Sequence, residues 1–106
     1  MTHSKRIDVH QHVIPPFWAE ELPKHGGDPS GWNSPEWSPE QAIQFMDENQ
    51  IATGILSLTA PSVTGWQGQS MIDMARKVNE YTAGLVQKMP ARFGNFATLP
   101  LPDIDA

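Results

Sequence analysis

Apolar and polar positions change their spacing along this chain in a way that separates strands from helices. In a strand, alternate residues face one side, whereas in a helix the apolar face recurs every three or four residues. The spacing predicts strands at residues 6–14, 51–59 and 93–99 and main helices at about 38–49 and 69–88. The segment from Phe17 to Trp37 is rich in Pro, Gly and Trp, so we expect mostly loop there, with a short helix near residues 17–22.

Local patterns support these assignments. Ser38, Pro39 and Gln41 have the residue types of an N-cap, a first helical position and a capping box, so the first main helix should begin at Ser38. Met71 and Met74 follow the helical spacing of the second main helix, which favours a place in the core over a role as ligands.

The order strand, helix, strand, helix, strand predicts an α/β fold with a parallel sheet. The predicted strands begin at Ile7, Ile51 and Phe93, and eight units at this spacing would need roughly 340 residues, within the range of (β/α)8 barrels. We therefore expect the N-terminal βαβαβ portion of a TIM barrel, as one incomplete domain over residues 1–106. Residues 102–106 resemble the start of a further helix. The alternative is a small open three-stranded sheet with a frayed tail.

His10 and His12 are the sharpest candidates for chemistry. They lie two residues apart near the end of the first strand, so both imidazoles should project from one face, at the strand end that forms the active face of parallel barrels. Neutral imidazole is a common ligand for zinc and similar divalent ions, so the pair predicts metal ligation; two half-exposed histidines are the alternative.

The rest of the first strand divides by parity. Ile7, Val9 and Val13 share the apolar parity. Asp8 should lie on the same face as the histidines, one layer deeper in the barrel. It is either a hydrogen-bond partner that orients a metal ligand or a buried polar residue bonded to the backbone.

Other positions that could complete a site carry weaker patterns. A catalytic zinc site commonly has three protein ligands, and His3 and His25 could reach, although both fit surface histidines better. Trp18, Trp32 and Trp37 form either a wall beside a pocket or anchors that hold the loop to the body.

Composition excludes several functional classes. The chain has seven Lys and Arg against twelve Asp and Glu, a formal net charge of −5, which disfavours nucleic acid as a partner. It has no Cys, so a disulfide framework, a thiolate zinc site and a Cys nucleophile are excluded. No apolar run is long enough to span a membrane and no secretory signal is evident, so we expect no membrane partner and a cytoplasmic location. A Gly-rich phosphate loop and a Gly-x-Ser-x-Gly elbow are absent from the sequence.

The segment at residues 7–12, IDVHQH, resembles the first strand of the amidohydrolase superfamily. Three further segments are similar to the amidohydrolase-related group that includes aminocarboxymuconate semialdehyde decarboxylase: LTAP at 58–61, DMARKVNE at 73–80 and PARFGNFATLPL at 90–101. The resemblance covers nearly the whole chain, but only the first third of a typical member.

This resemblance implies a TIM-barrel enzyme with one divalent metal ion, of which His10 and His12 are two ligands. Zinc is the first choice for this ion, and manganese and iron are the alternatives. Members hydrolyse C–N, C–O or C–C bonds or decarboxylate aromatic and related acids, which implies a small, carboxylated substrate. The remaining ligands and proton-transfer residues come from later strands, so this chain alone should be inactive.

A second hypothesis is a non-catalytic binding or assembly module. An open parallel sheet exposes its strand edges and one face, which predicts self-association or a complementing chain.

Overall fold

The computed structural model describes residues 5–103 and residue 105, and its secondary structure follows the predicted order. The elements are β1 (Arg6–Val13), α1 (Pro16–Glu21), a 3-10 turn (Leu22–His25), α2 (Pro39–Glu48), β2 (Ile51–Leu58), α3 (Gly68–Lys88) and β3 (Phe93–Asn95). The short helix expected in the long loop is present as α1. The helical start expected at 102–106 lies partly outside the described residues. No helix among the described residues is long and apolar enough to cross a membrane.

The three strands form one parallel sheet in the order β1-β2-β3. Each connection between neighbouring strands contains one long helix, because a parallel neighbour can be reached only after the chain has crossed back over the sheet. This arrangement confirms the predicted α/β class and matches the start of a TIM barrel.

α2 begins where the sequence predicts. The Ser38 hydroxyl accepts the backbone N–H of Gln41 at 3.1 Å, and Pro39 occupies the first turn, where a missing N–H costs nothing. Ala42 and Met46, four residues apart, are buried on the side of α2 that faces the core.

Two core clusters hold the helices on one face of the sheet. The first joins the strands to α2 and α3 through Val13, Ala42, Met46, Leu56, Leu85 and Phe93. The second joins α1 to the N-terminal half of α3 through Ile14, Trp18, Leu22, Val63, Trp66, Met71, Met74, Ala75 and Val78. The predicted core positions of Met71 and Met74 are therefore confirmed. We call the sheet face that carries Leu56 and Phe93 the helix face, and the opposite face, with Ile55 and Ser57 of β2, the open face.

The pairing of β1 with β2 contains two irregularities that cancel. One shift in register precedes Ile7 and the second lies between Asp8 and Gln11, so that only the short stretch between them is out of phase. A one-residue shift moves a side chain to the other face of the sheet. The expected apolar face of β1 is therefore wrong in part: Ile7 and Val9 are 60% and 64% exposed, whereas Val13 is fully buried.

Two tryptophans hold the long loop to the body of the molecule. Trp18 is fully buried, and its indole N–H donates to the Ser62 carbonyl at 2.9 Å. Trp37 is half-buried and packs against both core clusters, whereas Trp32 is mostly exposed. Trp18 is thus an anchor of the loop, whereas Trp37 both packs against the core and lines a pocket beside Ile14 and Ala19.

β3 is shorter than its sequence pattern predicts, since it ends at Asn95 rather than near Leu99. Asn79 of α3 replaces the missing strand pairing. Its amide donates to the Thr98 carbonyl at 2.9 Å, and its Oδ1 accepts the Thr98 N–H at 2.7 Å. The chain after β3 is therefore attached to α3.

Candidate metal centre

His10 and His12 stand side by side near the C-terminal end of β1. Their ring centroids are 4.9 Å apart, and the rings are perpendicular, edge to face. Both residues are exposed, and His12 lies opposite Ser57 in the ladder, on the open face. The structure thus brings the two imidazoles together as their spacing predicts; that they bind a metal stays a prediction.

Asp8 does not share the face of the histidines. It lies opposite Gly54 on the helix face, because the two register shifts put it out of phase. Its carboxylate accepts the backbone N–H of His10 at 3.0 Å and the side-chain amide N–H of Gln11 at 3.2 Å. The expected parity of Asp8 is therefore wrong, and its contact with a candidate ligand is made through the backbone.

Gln11, between the two histidines, makes a contact that residue spacing does not predict. Its amide lies directly on Gly54: a Cβ atom on Gly54 would come within 2.8 Å of Nε2 and 2.9 Å of Oε1. Among the described residues, the buried Oε1 atom has no hydrogen-bond partner. Glycine inside a strand often marks the close approach of another group, so Gly54 is the sequence feature that could have revealed this contact.

His25 lies in different surroundings from the imidazole pair. Its ring stacks on the indole of Trp66 with centroids 4.4 Å apart, and its Nε2 lies 3.9 Å from a carboxylate oxygen of Glu21. His3 lies outside the described residues. Within residues 5–103 and 105, no group of three or more His, Asp or Glu side chains is placed to hold a metal ion.

A pocket of about 350 Å³ lies where β2 and β3 end. Its lining combines hydroxyl and apolar side chains: Ser57, Ser62, Thr64, Leu58, Val63, Phe96, Thr98, Leu99 and Leu101. Ser57, the ladder partner of His12, is the residue that connects this pocket to the imidazole pair, and neither histidine lines the pocket itself.

Two neighbouring imidazoles suit a divalent transition metal. Imidazole nitrogen is a good donor for zinc and iron, and a pair on one strand is already held together before an ion arrives. A catalytic zinc ion takes about three protein ligands and a water molecule. The donors present here therefore fit part of a metal shell, and the rest must come from other residues.

The chain is similar in sequence to several curated decarboxylases. No protein-family model matches it. Decarboxylase yanB from Aspergillus niger is 47% identical over 97 residues, which cover 90% of this chain and 26% of the relative. The 6-methylsalicylic acid decarboxylase acuB from Aspergillus aculeatus is 38% identical over 90% of this chain and 29% of the relative.

Solved structures show the same relationship in three dimensions. An amidohydrolase II crystal structure superposes with a TM-score of 0.87 and 37% identity, over 93% of this chain and 33% of that one. A dihydroxybenzoic acid decarboxylase from Polaromonas sp. JS666, with bound manganese and the inhibitor 2-nitroresorcinol, superposes with a TM-score of 0.58 and 27% identity, over 95% of this chain and 31% of that one. The chain thus spans about a quarter to a third of the length of these relatives.

Proposed function

We propose that the chain is the N-terminal portion of a metal-dependent decarboxylase for small aromatic or related carboxylic acids. Its similarity in sequence and fold to amidohydrolase-family proteins, over about a quarter to a third of their length, supports this proposal. The observation that carries the proposal is the imidazole pair of His10 and His12, whose ring centroids are 4.9 Å apart. Both curated relatives described above are named as decarboxylases, which favours decarboxylation over hydrolysis.

His10 and His12 would together hold one divalent metal ion. Their nitrogen donors favour zinc, whereas the manganese bound by a related decarboxylase favours manganese. When bound, the ion would supply positive charge that attracts and polarises a substrate carboxylate. Because both rings are exposed on the open face, they can bind without movement of the core.

The adjoining pocket would receive the body of the substrate. Phe96 and Leu99 offer apolar surfaces for an aromatic ring. The Ser57 hydroxyl can donate or accept a hydrogen bond at a polar substituent, and the Thr64 hydroxyl, which donates to the Pro61 carbonyl at 2.8 Å, can accept one. A phenolic acid, with an apolar ring and polar groups at its edge, fits this mixed lining. An alkyl acid without polar substituents would leave the Ser57 hydroxyl without a ligand partner.

Further groups are needed for turnover. Decarboxylation requires a proton at the carbon that loses CO2, and such a general acid must lie within hydrogen-bond reach of that carbon. A third ligand and this acid would come from residues beyond those described, or from a complementing chain. We therefore expect the 106-residue chain to bind metal weakly and to have no activity by itself.

Metal binding by the full chain tests the proposal. We expect Mn²⁺ at substoichiometric concentration to broaden the imidazole NMR signals of His10 and His12 before those of His25. His10→Ala and His12→Ala should each lower the affinity at least about 10-fold, because one of two donors is lost. His25→Ala is the matched control and should leave the affinity unchanged. Competition with Zn²⁺ then decides which ion the pair prefers. Equal affinity in all four proteins would show that the pair is not the site.

A chimera tests the reaction. This chain would replace the matching quarter of Decarboxylase yanB, so that the remaining strands are supplied by the relative. We expect release of CO2 from 6-methylsalicylic or a dihydroxybenzoic acid, and loss of that release in the His12→Ala chimera. A folded chimera that hydrolyses amides or esters instead would identify a hydrolase. A folded chimera with neither activity would reject the enzyme proposal.

The second candidate function is an assembly module without catalysis. Ile7 and Val9, both more than half exposed on β1, favour it, because an exposed apolar strand invites pairing with another chain. Loss of metal affinity in His10→Ala and His12→Ala would not be expected of such a module, so the metal titration distinguishes the two candidates.

A further inference from the structure

We propose that Asp8 and Gln11 are positioning residues, which set the relative orientation of the His10 and His12 imidazoles, and that residue 54 is glycine because it must accommodate the Gln11 amide. The functional meaning of this inference rests on the proposed metal site. Its structural content, the orientation of two rings, can be tested in the metal-free chain.

The backbone at His10 is irregular and depends on a side chain. From Asp8 to Gln11, β1 advances three residues while β2 advances two, from Gly54 to Leu56. A bulge of this kind leaves a strand N–H without its regular partner. The His10 N–H donates to the Asp8 carboxylate at 3.0 Å, the local pattern in which an aspartate bonds the backbone two residues on. Asp8 thus stabilises the bulge that contains the first histidine.

The same carboxylate also holds the residue between the two histidines. Asp8 Oδ1 accepts the His10 N–H, and Asp8 Oδ2 accepts the Gln11 side-chain N–H at 3.2 Å. The first bond holds the backbone N–H of His10, and the second holds the side chain of Gln11, the next residue in the chain. Through these two bonds Asp8 sets the direction in which the His10 side chain leaves the strand, and with it the edge-to-face contact with His12.

Gly54 makes this arrangement possible. It is buried, and a Cβ atom on it would come within 2.9 Å of three atoms of the Gln11 amide. Such an approach is closer than real Cβ atoms make, so an alanine must displace the amide. The displaced amide would lose its bond to Asp8. Gly94 of β3 offers a comparison, because its added Cβ would come equally close, 2.8 Å, to a side-chain end that carries no hydrogen bond, the Cδ1 atom of Ile55.

The orientation of the two rings affects metal affinity, because side chains that lose conformational freedom on binding reduce the affinity. Two donors held in one geometry lose less freedom than two independent side chains. Groups that orient metal ligands without touching the metal change its affinity by about 10-fold or more when removed. An effect near the lower end of that range is expected here, because the rings remain exposed.

The first test uses Gly54→Ala, Gln11→Ala and the double variant, with Gly94→Ala as the control from the same sheet. The readouts are the nuclear Overhauser effect between the His10 and His12 ring protons without metal, and the Mn²⁺ affinity. We expect both single variants at the site to weaken the ring contact and to lower the affinity about 10-fold, and Gly94→Ala to change neither.

The double variant separates positioning from a general packing effect. If Gly54 acts through the Gln11 amide, Gly54→Ala should have no further effect once Gln11 is alanine. Additive losses would show that Gly54 acts through strand packing, which would overturn its assigned role.

The second test compares Asp8→Ala with Asp8→Asn. Asparagine keeps an oxygen for the His10 N–H. Its NH2 group would face Gln11 Nε2, and once the Gln11 amide turns over it can donate to Oε1, the buried oxygen that has no partner among the described residues. We expect Asp8→Asn to retain the ring contact and the affinity, and Asp8→Ala to lose both. Loss in both variants would mean that the charge of Asp8 acts directly, which would overturn the positioning role.

The two proposals can fail separately. A wild-type chain that binds no Mn²⁺, but whose ring contact weakens in Gln11→Ala and Asp8→Ala, would reject the metal site and retain the positioning role. A chain that binds Mn²⁺ equally well in all variants, with an unchanged ring contact, would reject the positioning role. The Gln11 and Asp8 variants decide the question even if Gly54→Ala fails to fold.

Discussion

Arg92, just before β3, joins three parts of the fold through one side chain. Its Nε donates to the Ala52 carbonyl at 2.8 Å, and an amino group donates to the Ile51 carbonyl at 3.3 Å and to an oxygen of Asp47 at 2.7 Å. The start of β2, the end of α2 and the approach to β3 are thereby held together. Only a guanidinium carries this many donors in a fixed planar arrangement.

We expect Arg92→Lys to lower the free energy of unfolding by about 1–2 kcal/mol, because an ammonium group cannot reproduce the bonds to both backbone carbonyls. Asp47→Asn should cost less, under about 1 kcal/mol, since Asp47 is 56% exposed and its ion pair is weakened by solvent. Urea unfolding of the three proteins measures both values. A lysine variant as stable as the wild type would show that charge alone is sufficient at this position.

The alternation of residues along β1 predicts correctly that the two histidines lie on one face of the sheet, but it predicts the wrong face for Ile7 and Asp8. His12 and Val13 lie where β1 and β2 are again in regular register, so alternation places them correctly. Ile7 and Asp8 lie between two register shifts, and those shifts depend on contacts with β2, which the local pattern of β1 does not contain. The Gln11 contact is of the same kind, because it depends on the absence of a side chain on Gly54.

At the scale of elements, helix bounds were predicted closely and strand bounds less so. The cap of α2 is a local feature that Ser38 and its neighbours specify themselves. The length of β3 is a tertiary feature: the alternation from Phe93 to Leu99 suits a strand, but Asn79 of α3 bonds the Thr98 backbone and ends the pairing early. Such competition between a side chain and a strand is invisible in local spacing.

The Asn79 bond to Thr98 can be tested through α3. Asn79→Asp keeps an acceptor for the Thr98 N–H but places a carboxylate oxygen against the Thr98 carbonyl, so it should destabilise the fold by about 1–3 kcal/mol. The Thr98 amide should then exchange faster with solvent, which hydrogen-exchange NMR measures. Gln87→Ala, at an exposed position of the same helix, is the control and should alter neither value. Unchanged exchange at Thr98 in Asn79→Asp would show that the segment is held by other contacts.

At the scale of the whole molecule, the described chain is a slab with principal extents of 48 × 30 × 18 Å. A sheet and one layer of helices account for a thickness of this order, since packed layers lie about 10 Å apart. Parallel sheets are normally covered on both faces. Here the helices cover only one face, and the open face carries the imidazole pair together with exposed apolar side chains of β1.

Self-association of the isolated chain follows from this exposed surface. Ile7 and Val9 lie on an edge strand with more than half of each side chain exposed, and burying them against a second copy would stabilise a dimer or larger species. We expect sedimentation velocity to show oligomers at micromolar concentration, and the double variant Ile7→Ser/Val9→Ser to shift the population toward monomer at least about 10-fold, as expected when two apolar side chains leave an interface.

Phe45→Ser is the matched control, because Phe45 is 50% exposed but lies on α2, on the far side of the molecule from the open face. It should leave the oligomers intact if association proceeds through β1. A monomeric wild-type chain would contradict the prediction, and an equal response to both sets of substitutions would show that association is unspecific. In the yanB chimera, where the missing strands are supplied, the same serine substitutions should no longer change the oligomeric state, because the surface that drives association would already be covered.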